Sequence, residues 1–199
     1  GRIERNLRVP LVAIFVLGGL QGVVGWGMVA SGLVDRTDVS QYRLAAHLMM
    51  ATFILAYTVW VARGLVPARP HATYPARGTK VFGAVIVALV LLQIYLGAFV
   101  AGLDAGFVHN DWPLMAGAII PSGIADLQPF IRNFFENQIT VQFNHRIVAY
   151  ILLAVVLFHA WRLATRAGGT RVAWSAYRLT ALVLLQVALG IATLVMVVP

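Results

Sequence analysis

The sequence predicts an all-α protein, a polytopic bundle of transmembrane helices, and three observations carry that prediction. Of its 199 residues 60% are hydrophobic and only 11% charged, whereas a soluble domain carries about 25% charged residues. The mean hydropathy of +0.84 means more apolar surface than one soluble core of this size can enclose. Five stretches are long enough to cross hydrocarbon about 30 Å thick, which takes about 20 apolar residues in a helix. The chain contains no cysteine, which excludes a disulfide framework, a thiolate metal site and a cysteine nucleophile. Its aromatic content of 11% excludes a disordered chain.

The spans follow in order. The first covers 9–34, where Gly18-x3-Gly22 and Gly25 one turn later form a small-residue face suited to close helix packing. The second covers 42–66 and the third 81–103. The fourth covers 139–161 and encloses Asn144, His145 and Arg146; the fifth covers 179–198. None shows the ten-residue alternation of a membrane β-strand, so helices are expected. The segment 104–138 is the one long connection, rich in Pro and Gly yet apolar through Trp112, Leu114, Met115 and Phe130. Loops of this length are commonly lids or binding elements. Three domains of sequence result: 1–66 with two spans, a linker at 67–80, and 81–199 with three spans and the loop.

Charge sets the orientation. Arg2, Arg5 and Arg8 precede the first span; Arg63, Arg69, Arg77 and Lys80 separate the second from the third; Arg162, Arg166, Arg171 and Arg178 separate the fourth from the fifth. Asp35, Asp38, Asp104, Asp111, Asp126 and Glu136 fill the other two connections, with Arg36 and Arg132. The positive-inside rule then places the N-terminus in the cytoplasm and 104–138 outside. Topology thus accounts for the net charge of +8, and nucleic acid is not an expected partner.

Two histidines lie well inside spans. His47, in Gln41-Tyr42-Arg43-Leu44-Ala45-Ala46-His47-Leu48, sits about two turns into the second span, and His145 sits at a similar depth in the fourth. Both spans start outside and run inward, so the two imidazoles are expected in one outer layer. Each is either a histidine hydrogen-bonded to a neighbouring helix or an axial ligand to a heme iron, for which neutral imidazole is suited. Arg43 lies one turn before His47 and Arg146 directly follows His145. An intramembrane Arg costs about 2.5–3.5 kcal/mol on insertion scales, which a heme propionate would offset through a charge-assisted pair. Alternatively, both arginines reach the headgroups. His159, beside Trp161 and Arg162, reads as an interfacial anchor. A pattern recurs in three spans: Gln21-x3-Gly25, Gln93-x3-Gly97 and Gln186-x3-Gly190. It reflects either recurring small residues at helix contacts or a duplicated bundle.

Longer motifs carry a resemblance. Gln21-Gly22-x2-Gly25-Trp26, Val39-Ser40-Gln41-Tyr42-Arg43-Leu44-Ala45-Ala46-His47-Leu48 and Gly97-Ala98-Phe99-Val100-Ala101-Gly102-Leu103-Asp104 come first. Trp112-Pro113-x-Met115, Arg132-Asn133-x-Phe135-Glu136-Asn137 and Val141-Gln142-Phe143-x-His145-Arg146 follow. Together they resemble the heme A synthase family over essentially the whole chain, closest to its proteobacterial and mitochondrial branch. The resemblance implies eight helices in two pseudo-equivalent halves, of which the present spans correspond to helices three to seven.

It further implies oxidation of the C8 methyl of heme O to a formyl group, giving heme A for terminal oxidases. His47 with Arg43 would serve the substrate heme O. His145 with Arg146 and Gln142 would hold heme B as cofactor, so that His47 and His145 are both iron ligands. Heme O synthase and terminal oxidase assembly are the implied partners, lipid surrounds the bundle, and self-association stays open. The implied location is the bacterial inner membrane, with the mitochondrial inner membrane as the second choice. The family's Glu-x-x-His-Arg motif and its last helix have no counterpart in these residues. The sequence, which starts at Gly1, therefore reads as a central fragment that does not make heme A by itself, its catalytic carboxylate unknown here. The competing function class is a membrane b-type cytochrome that transfers electrons without modifying heme.

Overall fold

A computed structural model of the chain describes residues 5–30, 39–66 and 77–197. Arg2, Glu4, Asp35, Arg36, Asp38, Arg69 and His71 lie outside them. The described residues form helices α1 (Arg5–Ala30), α2 (Gln41–Gly64), α3 (Arg77–Gly102), the short α4 (Asn133–Glu136), α5 (Gln138–Ala167) and α6 (Arg171–Val195). All five long helices are apolar enough to cross a membrane, and the fold class is the all-α polytopic bundle expected.

The two largest departures from the hydropathy reading lie at helix boundaries. α5 runs six residues past Trp161, and α6 begins at Arg171 rather than at 179. The connection between them shrinks to Gly168-Gly169-Thr170. Gly169 takes a positive φ of 76°, and the Thr170 hydroxyl caps α6 by accepting from the Ala173 amide. A hydropathy window registers where hydrocarbon would end, not where backbone hydrogen bonding does. The cations Arg162, Arg166, Arg171 and Arg178 therefore sit on helical turns rather than in a loop.

The chain divides into two compact units, Gly1–Thr73 and Tyr74–Pro199. In the first, α1 packs on α2, and most large apolar side chains of both helices, such as Phe15, Trp26, Phe53 and Trp60, face outward, as surfaces meeting lipid or other helices would. The threonine hydroxyls of α2 are satisfied within the helix, Thr52 donating to the Leu48 carbonyl at 2.8 Å and Thr58 to that of Ile54 at 2.8 Å.

In the second unit α5 is central. Its Leu152 and Val156 pack with Ile86 of α3. Nearer the turn, Ala160 and Leu163 meet Ala173 and Ala176 of α6, small residues that let two helices approach closely. The long loop 103–137 is folded onto this unit by polar side chains rather than left loose. Asn133, fully buried, donates to the carbonyls of Leu127 and Phe130 at 2.8 Å each, and its Oδ1 accepts from the Leu127 amide at 2.9 Å. Asn137 caps α5, its Oδ1 accepting from the amides of Ile139 and Thr140 while its Nδ2 donates to the Gly123 carbonyl. Phe135 of α4 packs at a tilt against the buried Phe99 of α3, with ring centroids 5.6 Å apart.

Candidate functional site

Each unit contains the same arrangement of a glutamine, a glycine and a histidine. In the first unit, Gln21 and Gly25 lie one turn apart on α1, and His47 of α2 packs over both. The Gln21 Nε2 donates to the His47 backbone carbonyl at 3.0 Å and lies 3.1 and 3.2 Å from the ring nitrogens Nδ1 and Nε2. A Cβ at Gly25 would stand 2.9 Å from His47 Cε1, so the glycine is what admits the ring. In the second unit, Gln93 and Gly97 of α3 do the same for His145 of α5. The Gln93 Nε2 lies 3.2 and 3.0 Å from Nδ1 and Nε2, and a Cβ at Gly97 would be 3.3 Å from Cε1.

The near-equal distances have a geometric consequence. A group lying in the imidazole plane, equally far from both nitrogens, would collide with Cε1. Each amide nitrogen therefore sits over the ring face, and the in-plane directions of the two ring nitrogens, along which lone pairs and N–H bonds point, are not used by the glutamine. Each glutamine also carries a buried Oε1 with no hydrogen-bond partner among the described residues. Such an orphaned acceptor normally marks a group still to be supplied.

Each ligand candidate stands a short way into its own helix. His47 is six residues after Gln41 and His145 seven after Gln138, or about 9–11 Å at 1.5 Å per residue. The glutamines are each nine residues before a helix end, Ala30 for Gln21 and Gly102 for Gln93. Gln186 is likewise nine residues before Val195, the end of α6. It is exposed, and nothing lies within 4 Å of a Cβ placed on Gly190. The recurrence noted in the sequence is thus a repeated histidine seat in two of its three copies. The spacing was legible; its partner histidines, 26 and 52 residues away, carry no local signal.

Gln142 and Arg146 face the long loop. Gln142 Nε2 donates to the His109 carbonyl at 2.8 Å. The Arg146 guanidinium donates to the carbonyls of His109 at 2.8 Å, Asp111 at 2.8 Å and Leu114 at 3.0 Å. A cation inside a span is thereby solvated by three backbone carbonyls, and its Nε is buried with no partner among the described residues. Beside it, loop residues Trp112, Leu114 and Met115 and helix residues Phe143, Arg146 and Tyr150 border a cleft of about 400 Å³. Arg43 lies on the exposed face of α2, one turn before His47. His159 is not an interfacial anchor as expected. It is only 7% exposed and stacks on Phe82 of α3 with centroids 5.4 Å apart, because α5 continues beyond it and keeps it inside the helix contact.

The loop tip is fixed by Asp111. Met115 and Ala118 exchange both backbone hydrogen bonds at 2.8 and 3.0 Å across Ala116 and Gly117. Both central residues have positive φ, 52° and 74°, as a type I′ turn requires. The Asp111 carboxylate accepts from the Gly117 amide at 3.0 Å and the Ala116 amide at 3.1 Å. These bonds, the Gly117 amide foremost, hold its pKa below the ordinary 3.8, with the Arg146 charge contributing and slight desolvation opposing. A carboxyl with a lowered folded pKa stabilises the fold above its unfolded value and loses that contribution as pH falls through the folded one. Protection factors of the Ala116 and Gly117 amides against hydrogen exchange are therefore expected to decline below about pH 3.8, and Asp111→Asn is expected to abolish that pH dependence.

Among the described residues, no group of three or more His, Asp or Glu side chains could hold a metal ion. Among the described residues, neither His47 nor His145 belongs to such a group. An imidazole outside such a group suits an iron whose equatorial ligands come from a porphyrin rather than from side chains. The glycine seat, the free in-plane nitrogens and the orphaned amide oxygen fit such a group at both histidines.

Comparison with known proteins places the chain in a family. The family described as cytochrome oxidase assembly protein, COX15-CtaA, matches residues 1–199. A protein of Rhizobium etli named heme A synthase is 56% identical over 199 residues, covering all of this chain and 54% of the relative. Heme A synthases of Mesorhizobium japonicum and Sinorhizobium medicae are 54% and 53% identical with the same coverage. The chain thus spans about half the length of the curated relatives it matches. No solved structure matches it significantly.

Proposed function

The chain belongs to the COX15-CtaA family of cytochrome oxidase assembly proteins, and on that premise we propose that the whole protein is a heme A synthase. It oxidises the C8 methyl of heme O to a formyl group, and the product serves terminal oxidases. His47 ligates the substrate heme O, and His145 ligates a heme B cofactor. The observation that carries this reading is the duplicated seat, one glutamine-and-glycine pair under one histidine in each unit. Two similar but separate seats are what a membrane enzyme needs to hold a reacting heme apart from an electron-carrying one.

The residues of this chain bind and position. Gly25 and Gly97 let each part-buried ring lie against the facing helix. Arg43 and Arg146 supply positive charge one turn before and one residue after the two ligands, suited to propionate carboxylates. Gln142 and Arg146 also hold residues 109–114 of the loop against α5, closing the His145 unit on that side. When bound, heme supplies the redox chemistry at iron. The charge asymmetry supports a cytoplasmic N-terminus and an outward-facing loop in a bacterial inner membrane, with a heme O synthase as the source of substrate.

The test is a heme extract from cells that lack heme A and express the full-length gene together with a heme O synthase. A formyl heme is expected. An extract with bound heme B but no formyl heme would instead assign the protein to electron transfer as a b-type cytochrome.

A further inference from the structure

Gln21 and Gln93 each present two features that the seat alone leaves unexplained. The amide nitrogen covers the imidazole face, within 3.0–3.2 Å of both ring nitrogens. The amide oxygen is buried and has no partner among the described residues. The same two features occur in both units, built from different helices and different neighbours. A packing accident at one site would not repeat at the other.

An imidazole that ligates a metal through one nitrogen carries N–H on the other. That N–H is almost always donated to a carboxylate, a carbonyl or water, which fixes the ring and raises its basicity. Among the described residues no Asp or Glu is hydrogen-bonded to either histidine, and the glutamine leaves the in-plane nitrogen directions unused. The glutamine Oε1 is the unsatisfied acceptor on the group already touching the ring. Rotation of the terminal amide and of the imidazole exchanges the face contact for an in-plane hydrogen bond. In the first unit that rotation also gives up the bond from Gln21 Nε2 to the His47 carbonyl at 3.0 Å.

We propose that Gln21 and Gln93 are positioning residues, each accepting through Oε1 the N–H of its metal-ligating histidine, His47 and His145 respectively. The assignment rests on the heme reading above. It adds the group that sets ring orientation and the electron-donating strength of the ligand. An acceptor on the N–H gives the imidazole more anionic character, which favours the oxidised metal and lowers the midpoint potential.

The experiment uses the full-length protein purified with its heme B, comparing wild type with Gln93→Leu, Gln93→Glu and His145→Ala. The readouts are the midpoint potential and the retention of heme. Gln93→Leu removes the acceptor, so the potential is expected to rise and heme retention to weaken about 10–100-fold. Gln93→Glu supplies a stronger acceptor, so the potential is expected to fall, and to fall further as pH rises and the carboxyl ionises. Shifts of the two variants in one direction, or in neither, would overturn the assignment while the heme reading stands. An unchanged heme B content and potential in His145→Ala would remove the heme reading and the assignment with it. If Gln93→Leu fails to accumulate, Gln93→Glu alone decides through the sign of its shift and its pH slope.

Discussion

His47→Ala in the full-length protein is expected to lower heme A formation by more than about 100-fold, with heme O accumulating in its place. Replacement of a group that merely supports a metal ligand typically costs 10–100-fold, and loss of the ligand itself exceeds that. The helix pair should survive the change. Gln21 Nε2 also donates to the His47 backbone carbonyl at 3.0 Å, and that bond does not need the imidazole. His47 is only part-buried, so its truncation leaves no large cavity between α1 and α2. Extracted hemes read the effect, and an unchanged far-ultraviolet circular dichroism spectrum separates it from misfolding.

Gly25→Val is expected to have a similarly large effect by a different route. The first carbon of the new side chain alone would stand 2.9 Å from His47 Cε1, closer than two carbons can pack, and valine adds two methyl groups. Overpacking costs about 1–3 kcal/mol, and displacement of the ring relieves it most cheaply, because the rest of α1 and α2 need not move. The helix itself tolerates the change, since glycine is a poorer helix former than valine. Folding should therefore persist while heme bound through His47 is lost. The series is graded: Gly97→Ala, at 3.3 Å from His145 Cε1, is expected to be milder than Gly25→Ala. Gly18→Ala and Gly22→Ala, with nothing within 4 Å, are expected to be neutral. Heme content of the purified variants checks the order.

The bundle was legible because hydrocarbon imposes a strong and simple demand on composition and length. All five spans were expected, and their largest errors lie where helices outrun the apolar stretch, at Ala167 and Arg171. The histidine candidates were legible because a polar group inside a span needs a reason. Their seats were visible only as a repeated Gln-x3-Gly, since sequence does not say which helix faces which. Arg146 was read through its charge alone. That a loop some 32–37 residues earlier in the chain solvates it with three carbonyls depends on how that loop folds. The buried Asn133 and the capping Asn137, which set that path, were legible only as members of the Arg132–Asn137 motif, which does not say which backbone groups they bond.

The central claim is that two separate hemes are held, one by each unit. It is tested most directly by the heme composition of full-length His145→Ala and His47→Ala, purified from cells supplied with heme O. The account predicts that His145→Ala loses heme B and keeps heme O, and that His47→Ala does the reverse. Equal loss of both hemes from either variant, as from one heme bridged by both histidines, would contradict it.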